Sequence, residues 1–202
     1  MNSEHWEHEK SAWELGYRLV AGIDEAGRGP LAGPVVAAAV ILPSGYDPSR
    51  LNDSKQLTPK KRDALYYEIF NQAVAVGIGV VDESLIDELN ILRAALLAMD
   101  RAVADLTSQP DYLLIDGTFP IETDLPQKSL PKGDARSVSI AAASIIAKVT
   151  RDRVMDTYHD TFPQYGFIRH KGYPTRDHRE AIREFGCCPI HRRSFKGVKE
   201  YL

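Results

Sequence analysis

Two adjacent carboxylates, Asp24 and Glu25, end an apolar run and are followed at once by the turn Gly27-Arg28-Gly29-Pro30. Neighbouring carboxylates repel and are costly to bury unless a divalent cation lies between them. Glycines flanking an arginine let a backbone approach a phosphate or sugar closely, with a guanidinium ready to fork onto anionic oxygens. A metal and a polyanion are therefore implied together. Asp116 closes the run Leu113-Leu114-Ile115 just before Gly117, and Asp134 precedes a long helical pattern. A single Asp-Gly is most often a plain turn, but these four acids all fall at the end of an element, where sites collect. Oxygen ligands alone select hard cations, Mg²⁺ or Mn²⁺, and carboxylates from separate elements hold two such ions for in-line attack on a phosphodiester. Because consecutive strand residues face opposite sides, the strand is expected to end or bulge at Asp24 and Glu25, with Gly27 and Gly29 permitting positive φ. The alternative is that Asp24 is the ligand and Glu25 pairs with a nearby cation.

Candidate substrate contacts surround these acids. Asp134, Ser137, Ala141, Ser144, Lys148 and Arg151 recur at three- and four-residue steps and share one helix face. Ser144 offers a hydroxyl to a phosphate oxygen, and Lys148 and Arg151 offer charge further along. The segment His170-Lys171-Gly172-Tyr173-Pro174-Thr175 joins cations to an aromatic ring. Its tyrosine either stacks on a sugar or base beside Lys171 or packs the loop onto the domain. Lys55, in Asn52-Asp53-Ser54-Lys55, contacts phosphate or stays solvated. The tail His191-Arg192-Arg193-Ser194-Phe195-Lys196 is a second basic segment, its histidine lacking partners at metal-ligand spacing.

The elements that must position these residues follow from pattern. Residues 19–24 and 35–42 are β-rich apolar runs separated by a Gly/Pro turn and read as a hairpin, with 73–81 a third strand and 112–115 another. Thr58-Pro59 starts a helix, and Asp82 opens a longer one with an apolar stripe from Leu85 to Val103. A long helix is predicted over 137–158, a loop over 162–175 and a helix over 177–185. The least structured stretches are 1–16 and 117–133. Strands first, then helices alternating with strands, indicate an α/β layered domain.

Composition narrows the class. The 202 residues suffice for one domain with a substantial core, and at 44% hydrophobic and 26% charged the chain reads as globular. No apolar stretch approaches a membrane span, and the first residues carry no signal-peptide pattern, so a cytoplasmic location is expected. Adjacent Cys187 and Cys188 cannot staple a fold and fit a reducing compartment. The net charge is -3, yet residues 148–202 hold 12 Lys and Arg against 7 Asp and Glu, leaving 13 against 21 elsewhere. A basic C-terminal quarter beside an acidic body is a candidate polyanion surface.

Taken in order, the motifs from Gly22-Ile23-Asp24-Glu25-Ala26-Gly27-Arg28-Gly29-Pro30 through Leu51-Asn52-Asp53-Ser54-Lys55, Ile86-Asp87-Glu88-Leu89-Asn90, Leu114-Ile115-Asp116-Gly117, Lys132-Gly133-Asp134, the run from Ser139 to Asp152, His170-Lys171-Gly172-Tyr173-Pro174-Thr175 and Arg192-Arg193-Ser194-Phe195 resemble the type 2 ribonuclease H family, ribonuclease HII. The resemblance implies an RNase H-like mixed five-stranded sheet flanked by helices over 17–160, a C-terminal helical, basic extension over 161–202, and an N-terminal segment 1–16 without a family motif. It implies an endonuclease that cleaves RNA in RNA/DNA duplexes and at single ribonucleotides embedded in DNA, leaving 5′-phosphate and 3′-hydroxyl ends. Asp24, Glu25, Asp116 and Asp134 would hold two Mn²⁺ or Mg²⁺ ions, Gly27, Arg28 and Gly29 would read the 2′-hydroxyl, and Tyr173 would stack at the RNA-to-DNA junction. The expected partner is nucleic acid, with no membrane and no obligate protein partner. A junction resolvase-like DNA nuclease and a non-catalytic duplex-binding module with a structural cation are the competing readings.

Overall fold

Five apolar or alternating runs form one mixed sheet in a computed structural model that describes residues 6–51 and 58–202. The strands are β1 (Val20–Ala26), β2 (Val35–Ile41), β3 (Ala75–Val81), β4 (Tyr112–Asp116) and β5 (Gln127–Leu130). Their order is β3-β2-β1-β4-β5, with β1, β2 and β3 antiparallel and β4 and β5 added in parallel to β1. The helices are α1 (Glu7–Glu14), α2 (Pro59–Gln72), α3 (Glu83–Leu89), α4 (Ile91–Ala104), α5 (Val138–Thr161), α6 (Phe167–His170) and α7 (Arg176–Phe185). The expected mixed five-stranded α/β fold is present.

Strand β2 is buried along its whole length, as an unbroken Val/Ala/Ile run requires when both sheet faces are covered. On one face Ala21, Ile23, Ala37 and Ala39 pack against Ala94, Ala98 and Ala102 of α4. On the other, Ala38 and Val40 meet Val138, Ala142, Ile145 and Val149 of α5. Small residues bring helix and sheet close: a Cβ at Gly22 of β1 would overlap the Ser139 backbone. Strand β3 leaves an open edge, and α4 covers its backbone groups, Asp105 accepting from Ile78 N at 2.9 Å and Arg101 donating to Val80 O at 2.6 Å.

Four local expectations change. The stripe from Leu85 to Val103 is two helices, broken at Asn90, whose φ of 74° no helix tolerates and whose side chain caps the Leu92 and Arg93 amides of α4. Segment 1–16 carries α1, with His8, Glu9 and Ala12 buried. Region 117–133 contains β5, and the loop over 162–175 contains α6. Thr58 caps α2 as expected, its hydroxyl accepting from Lys61 N. Asn52, Asp53, Ser54 and Lys55 lie outside the described residues. Among the described residues no helix is long and apolar enough to cross a membrane.

The β1–α5 contact is the tightest constraint on the site, and Gly22→Ala tests it. Overpacking there should lower stability by about 1–3 kcal/mol, read as a reduced urea midpoint with an unchanged slope.

Candidate active site

Asp116 ends β4, Asp24 lies two residues before the end of the neighbouring parallel strand β1, and Asp134 lies in the short helical turn Gly133–Ala135 just before α5. Carboxylate oxygens of Asp24, Glu25 and Asp116 lie within 4.8 Å of one another. Asp134 joins Asp24 and Glu25 in lining the same cleft, about 430 Å³ in volume. Strand β1 neither ends nor bulges between the paired acids, contrary to expectation: its ladder with β2 runs through Glu25↔Ala37 and Ala26↔Val36. The parallel ladder with β4 stops at Ile23↔Ile115, and past that point no strand separates the two side chains. Glu25 both joins the cluster and pairs with a cation, since Arg28 Nη1 lies 3.2 Å from its Oε1.

The electrostatics fit a divalent cation. Burial pushes the Asp24 carboxyl well above the usual carboxylate range, and the charges of Glu25, Asp116 and Asp134 raise it further. Burial also raises Glu25, against the pull of Arg28, and raises Asp116, against the hydrogen bond from Gly133 N to its Oδ1 at 2.6 Å. The second oxygen of Glu25 is buried with no hydrogen-bond partner among the described residues. Crowded, dehydrated carboxylates with an orphaned oxygen are stabilised by an ion that accepts oxygen ligands, Mg²⁺ or Mn²⁺.

Gly27, Arg28, Gly29, Ser144, Lys148 and Tyr173 line the cleft, so these predicted contacts do come together around the acids. The Tyr173 ring is 41% exposed and sits over Gly29, where a Cβ would be 3.6 Å from its edge. Lys148 reaches the cleft with its ammonium 2.6 Å from Asp152. Arg62, on α2, lines it too, a residue that pattern did not single out because it follows from packing of α2 beside α5. A second groove continues from Arg62 and Lys148 past Tyr67, Arg153 and Arg169.

Arg151 and His170, expected to contact substrate, are turned inward. Arg151 is 1% exposed and donates to the carbonyls of Pro34, Lys171 and Ala32 at 2.9–3.1 Å. Arg192, expected in a basic tail, is fully buried and donates to the carbonyls of Gly27, Arg28, Pro30, Gly33 and Pro34. Burial and the nearby Arg151 push its pKa down to about 9. Lys171 is mostly covered and ion-paired with Asp156. These groups hold the turn and the Tyr173 loop, which also meet through Leu31 N donating to Gly172 O at 2.8 Å.

A chain of neutral imidazoles completes that support. His178 Nδ1 lies 3.0 Å from Tyr173 O and so carries the proton, leaving Nε2 to accept from His191 Nε2 at 3.1 Å. His191 Nδ1 then accepts from Cys188 N at 3.0 Å. His170 bridges Tyr165 O and Gly172 N and stacks on His178 at 4.5 Å. Each of the three rings has one nitrogen that accepts from an N–H, a role only the neutral form satisfies.

A sheet of this order with carboxylates gathered near the ends of two adjacent strands fits the class of metal-dependent enzymes that hydrolyse phosphodiester bonds. The profile of the family Ribonuclease HII matches residues 21–198. The ribonuclease HII of Syntrophus aciditrophicus is 60% identical over 96% of this chain and 90% of its own length, and that of Geobacter sulfurreducens 56% over 98% and 91%. The chain belongs to the ribonuclease HII family, endoribonucleases acting on RNA/DNA hybrids. Among solved structures, the ribonuclease H2 of Pyrococcus horikoshii superposes with a TM-score of 0.78 at 27% identity, over 91% of this chain and 97% of that one. The Archaeoglobus fulgidus RNase HII, solved in complex with PCNA, gives 0.75 at 28% over 89% and 96%. Bst-RNase HIII, solved with Mn²⁺, shares the fold at 0.71 and 22% identity over 95% and 71%.

The imidazole chain predicts an acid-sensitive anchor. Burial lowers His178 and His191 from 6.5 to about 4, so below pH 6.5 the unfolded chain binds protons that the folded one refuses. Stability is therefore fully present above 6.5 and falls as pH drops toward 4. The expected loss between pH 7 and pH 5 is about 2 kcal/mol per histidine, measured by urea unfolding, and His178→Asn should flatten the profile.

Proposed function

We propose that Asp24, Glu25, Asp116 and Asp134 hold two Mn²⁺ or Mg²⁺ ions with which this endoribonuclease cleaves RNA in RNA/DNA hybrids and single ribonucleotides embedded in duplex DNA, leaving 5′-phosphate and 3′-hydroxyl ends. The observation that carries the reading is the convergence of three carboxylates within 4.8 Å, at a cleft that the Gly27-Arg28-Gly29 turn and Tyr173 also line. When bound, the ions supply an acidified water and neutralise charge at the departing 3′-oxygen.

The protein's own residues position the substrate. The turn at Gly27, Arg28 and Gly29 presents backbone and guanidinium to the sugar beside the scissile bond, where the 2′-hydroxyl distinguishes RNA from DNA. Arg28 also steadies Glu25 through their ion pair. Tyr173, partly exposed beside Gly29 with Lys148 and Arg151 each 5.9 Å from its ring centroid, stacks on the neighbouring nucleotide. Ser144, Lys148 and Arg62 meet phosphate oxygens, and Arg153 and Arg169 carry the backbone onward along the adjoining groove. Lys55 is assigned to phosphate by the family resemblance alone. Arg151, His170 and Lys171 contribute by holding the turn and the tyrosine loop. Nucleic acid is the partner this arrangement serves, without an obligate protein partner; a sliding clamp of the kind bound to the Archaeoglobus relative is compatible with it. Two unbridged thiols and a nucleic-acid substrate fit the cytoplasm.

Two outcomes test the reading. Asp116→Asn should abolish nicking of a duplex containing one ribonucleotide in either metal, with the fold retained by circular dichroism, and the all-DNA duplex should resist the wild type. Cleavage of the all-DNA duplex would favour the resolvase-like reading, and metal-dependent binding without nicking the binding-module reading. Arg62→Ala should raise KM several-fold with kcat nearly unchanged, and lower the slope of log affinity against log salt by about 1.

A further inference from the structure

The first turn of α5 is tied to a carboxylate from outside the matched family region. Glu9 of α1 is fully buried, and its Oε1 accepts from Ser137 Oγ at 2.6 Å and from Ser139 N at 2.9 Å. Ser137 is the N-cap of α5, its hydroxyl accepting from Ile140 N at 3.2 Å. The backbone continues inward, since Ser137 N donates to Gly133 O at 2.8 Å and Gly133 N donates to Asp116 Oδ1 at 2.6 Å. Asp134 rides on the turn between those two peptides. On the far side, Ser139 packs against Gly22, two residues before Asp24. A negative charge at the positive end of the 24-residue α5 is favourable as well.

We propose that Glu9 is a positioning residue for the catalytic carboxylates: by fixing Ser137 it fixes the turn that aims Asp134 and the peptide that orients Asp116. The proposal rests on the metal-dependent reading of the site. It assigns a role to the N-terminal helix beyond packing, because α1 has a separate apolar attachment. Ala12 and Trp13 pack with Val20, Leu114 and Ile140, and Trp13 pairs with Trp6 at 5.4 Å between ring centroids. Removing the Glu9 carboxylate therefore leaves the helix docked while freeing the cap.

The test is Mn²⁺ binding by the substrate-free protein, followed through the paramagnetic resonance signal of unbound Mn²⁺, for wild type, Glu9→Ala and Glu9→Gln at a temperature where all are folded. Glu9→Ala should weaken Mn²⁺ binding by about 10-fold or more, the effect typical of groups that orient ligands, and should lower kcat with little change in KM for the ribonucleotide-containing duplex. Glu9→Gln, which keeps an oxygen at the acceptor position, should recover most of both. Wild-type Mn²⁺ affinity in Glu9→Ala, with only a lowered melting temperature, would show that Glu9 merely attaches α1. Should Glu9→Ala not fold, Ser137→Ala cuts the same link from the other side, and unchanged Mn²⁺ affinity there overturns the proposal equally. A wild-type protein that binds no Mn²⁺ and nicks without it fails the metal-dependent reading itself, whatever the variants do.

Discussion

The segment between β1 and β2 turns its carbonyls inward at Gly27, Arg28, Pro30, Ala32, Gly33 and Pro34, and no backbone ladder supplies the donors they need. Two buried guanidiniums do so instead. A planar fork with five N–H groups is the one side chain able to satisfy several carbonyls of a tight loop at once. The cost of dehydration appears in the lowered pKa of both arginines, and the charge of Arg151 lowers Arg192 further. It is offset only while the carbonyls stay in place, so the loop has one conformation or the charges are unpaired. Because Arg151 comes from α5 and Arg192 from the segment after α7, the same contacts lock the C-terminal extension to the sheet. The glycines are part of this arrangement: Gly27 has φ +102°, and a Cβ there would collide with the Arg151 side chain.

That rigidity serves a site that is unfavourable by itself. Asp24 is nearly enclosed among three other acids, and each carboxylate dehydrated there raises the energy of the others. The same dehydration strengthens the attraction for a divalent cation, so what destabilises the metal-free protein improves it as a ligand set. Such a cluster persists because the elements bearing it are fixed by contacts elsewhere: β1 by its β2 and β4 ladders, Asp116 by the Gly133 amide, and the Asp134 turn by the cap of α5.

The acids could be read from sequence because each lies at or near the end of an element whose periodicity is strong. The runs before Asp24 and Asp116 are apolar and short, and the pattern after Asp134 is helical, so strand and helix ends fell into place along with their charges. The family resemblance added the sheet's strand count and the roles proposed for Gly27, Arg28, Gly29 and Tyr173. Other features left weaker signals. Helix α1 has three glutamates and buries one of them, Glu9, inverting the usual rule. Strand β5 has four residues and only one fully buried position. The break at Asn90 hides inside an apolar stripe that keeps helical spacing on both sides. Arg151 shares a face with Ser144 and Lys148, but shared phase says nothing of what covers the face. Its cover, the loops around Ala32 and Lys171, is distant in the chain.

The inward arginines also revise the meaning of the basic C-terminal quarter. Arg151 and Arg192 face carbonyls, Lys148 and Lys171 pair with Asp152 and Asp156, Arg153 with Asp63, Arg169 with Asp177, and Arg176 with Glu180. Much of the positive charge counted along the chain is therefore already committed within the fold. Such exposed pairs are individually weak, so a phosphate backbone entering the grooves can exchange places with an aspartate at small cost, while the buried arginines cannot be recruited at all. Affinity for nucleic acid then comes from a few cations at the cleft rather than from net charge. On the proposed reading discrimination falls to the turn and to Tyr173, the parts of the site that the buried arginines and neutral histidines hold still.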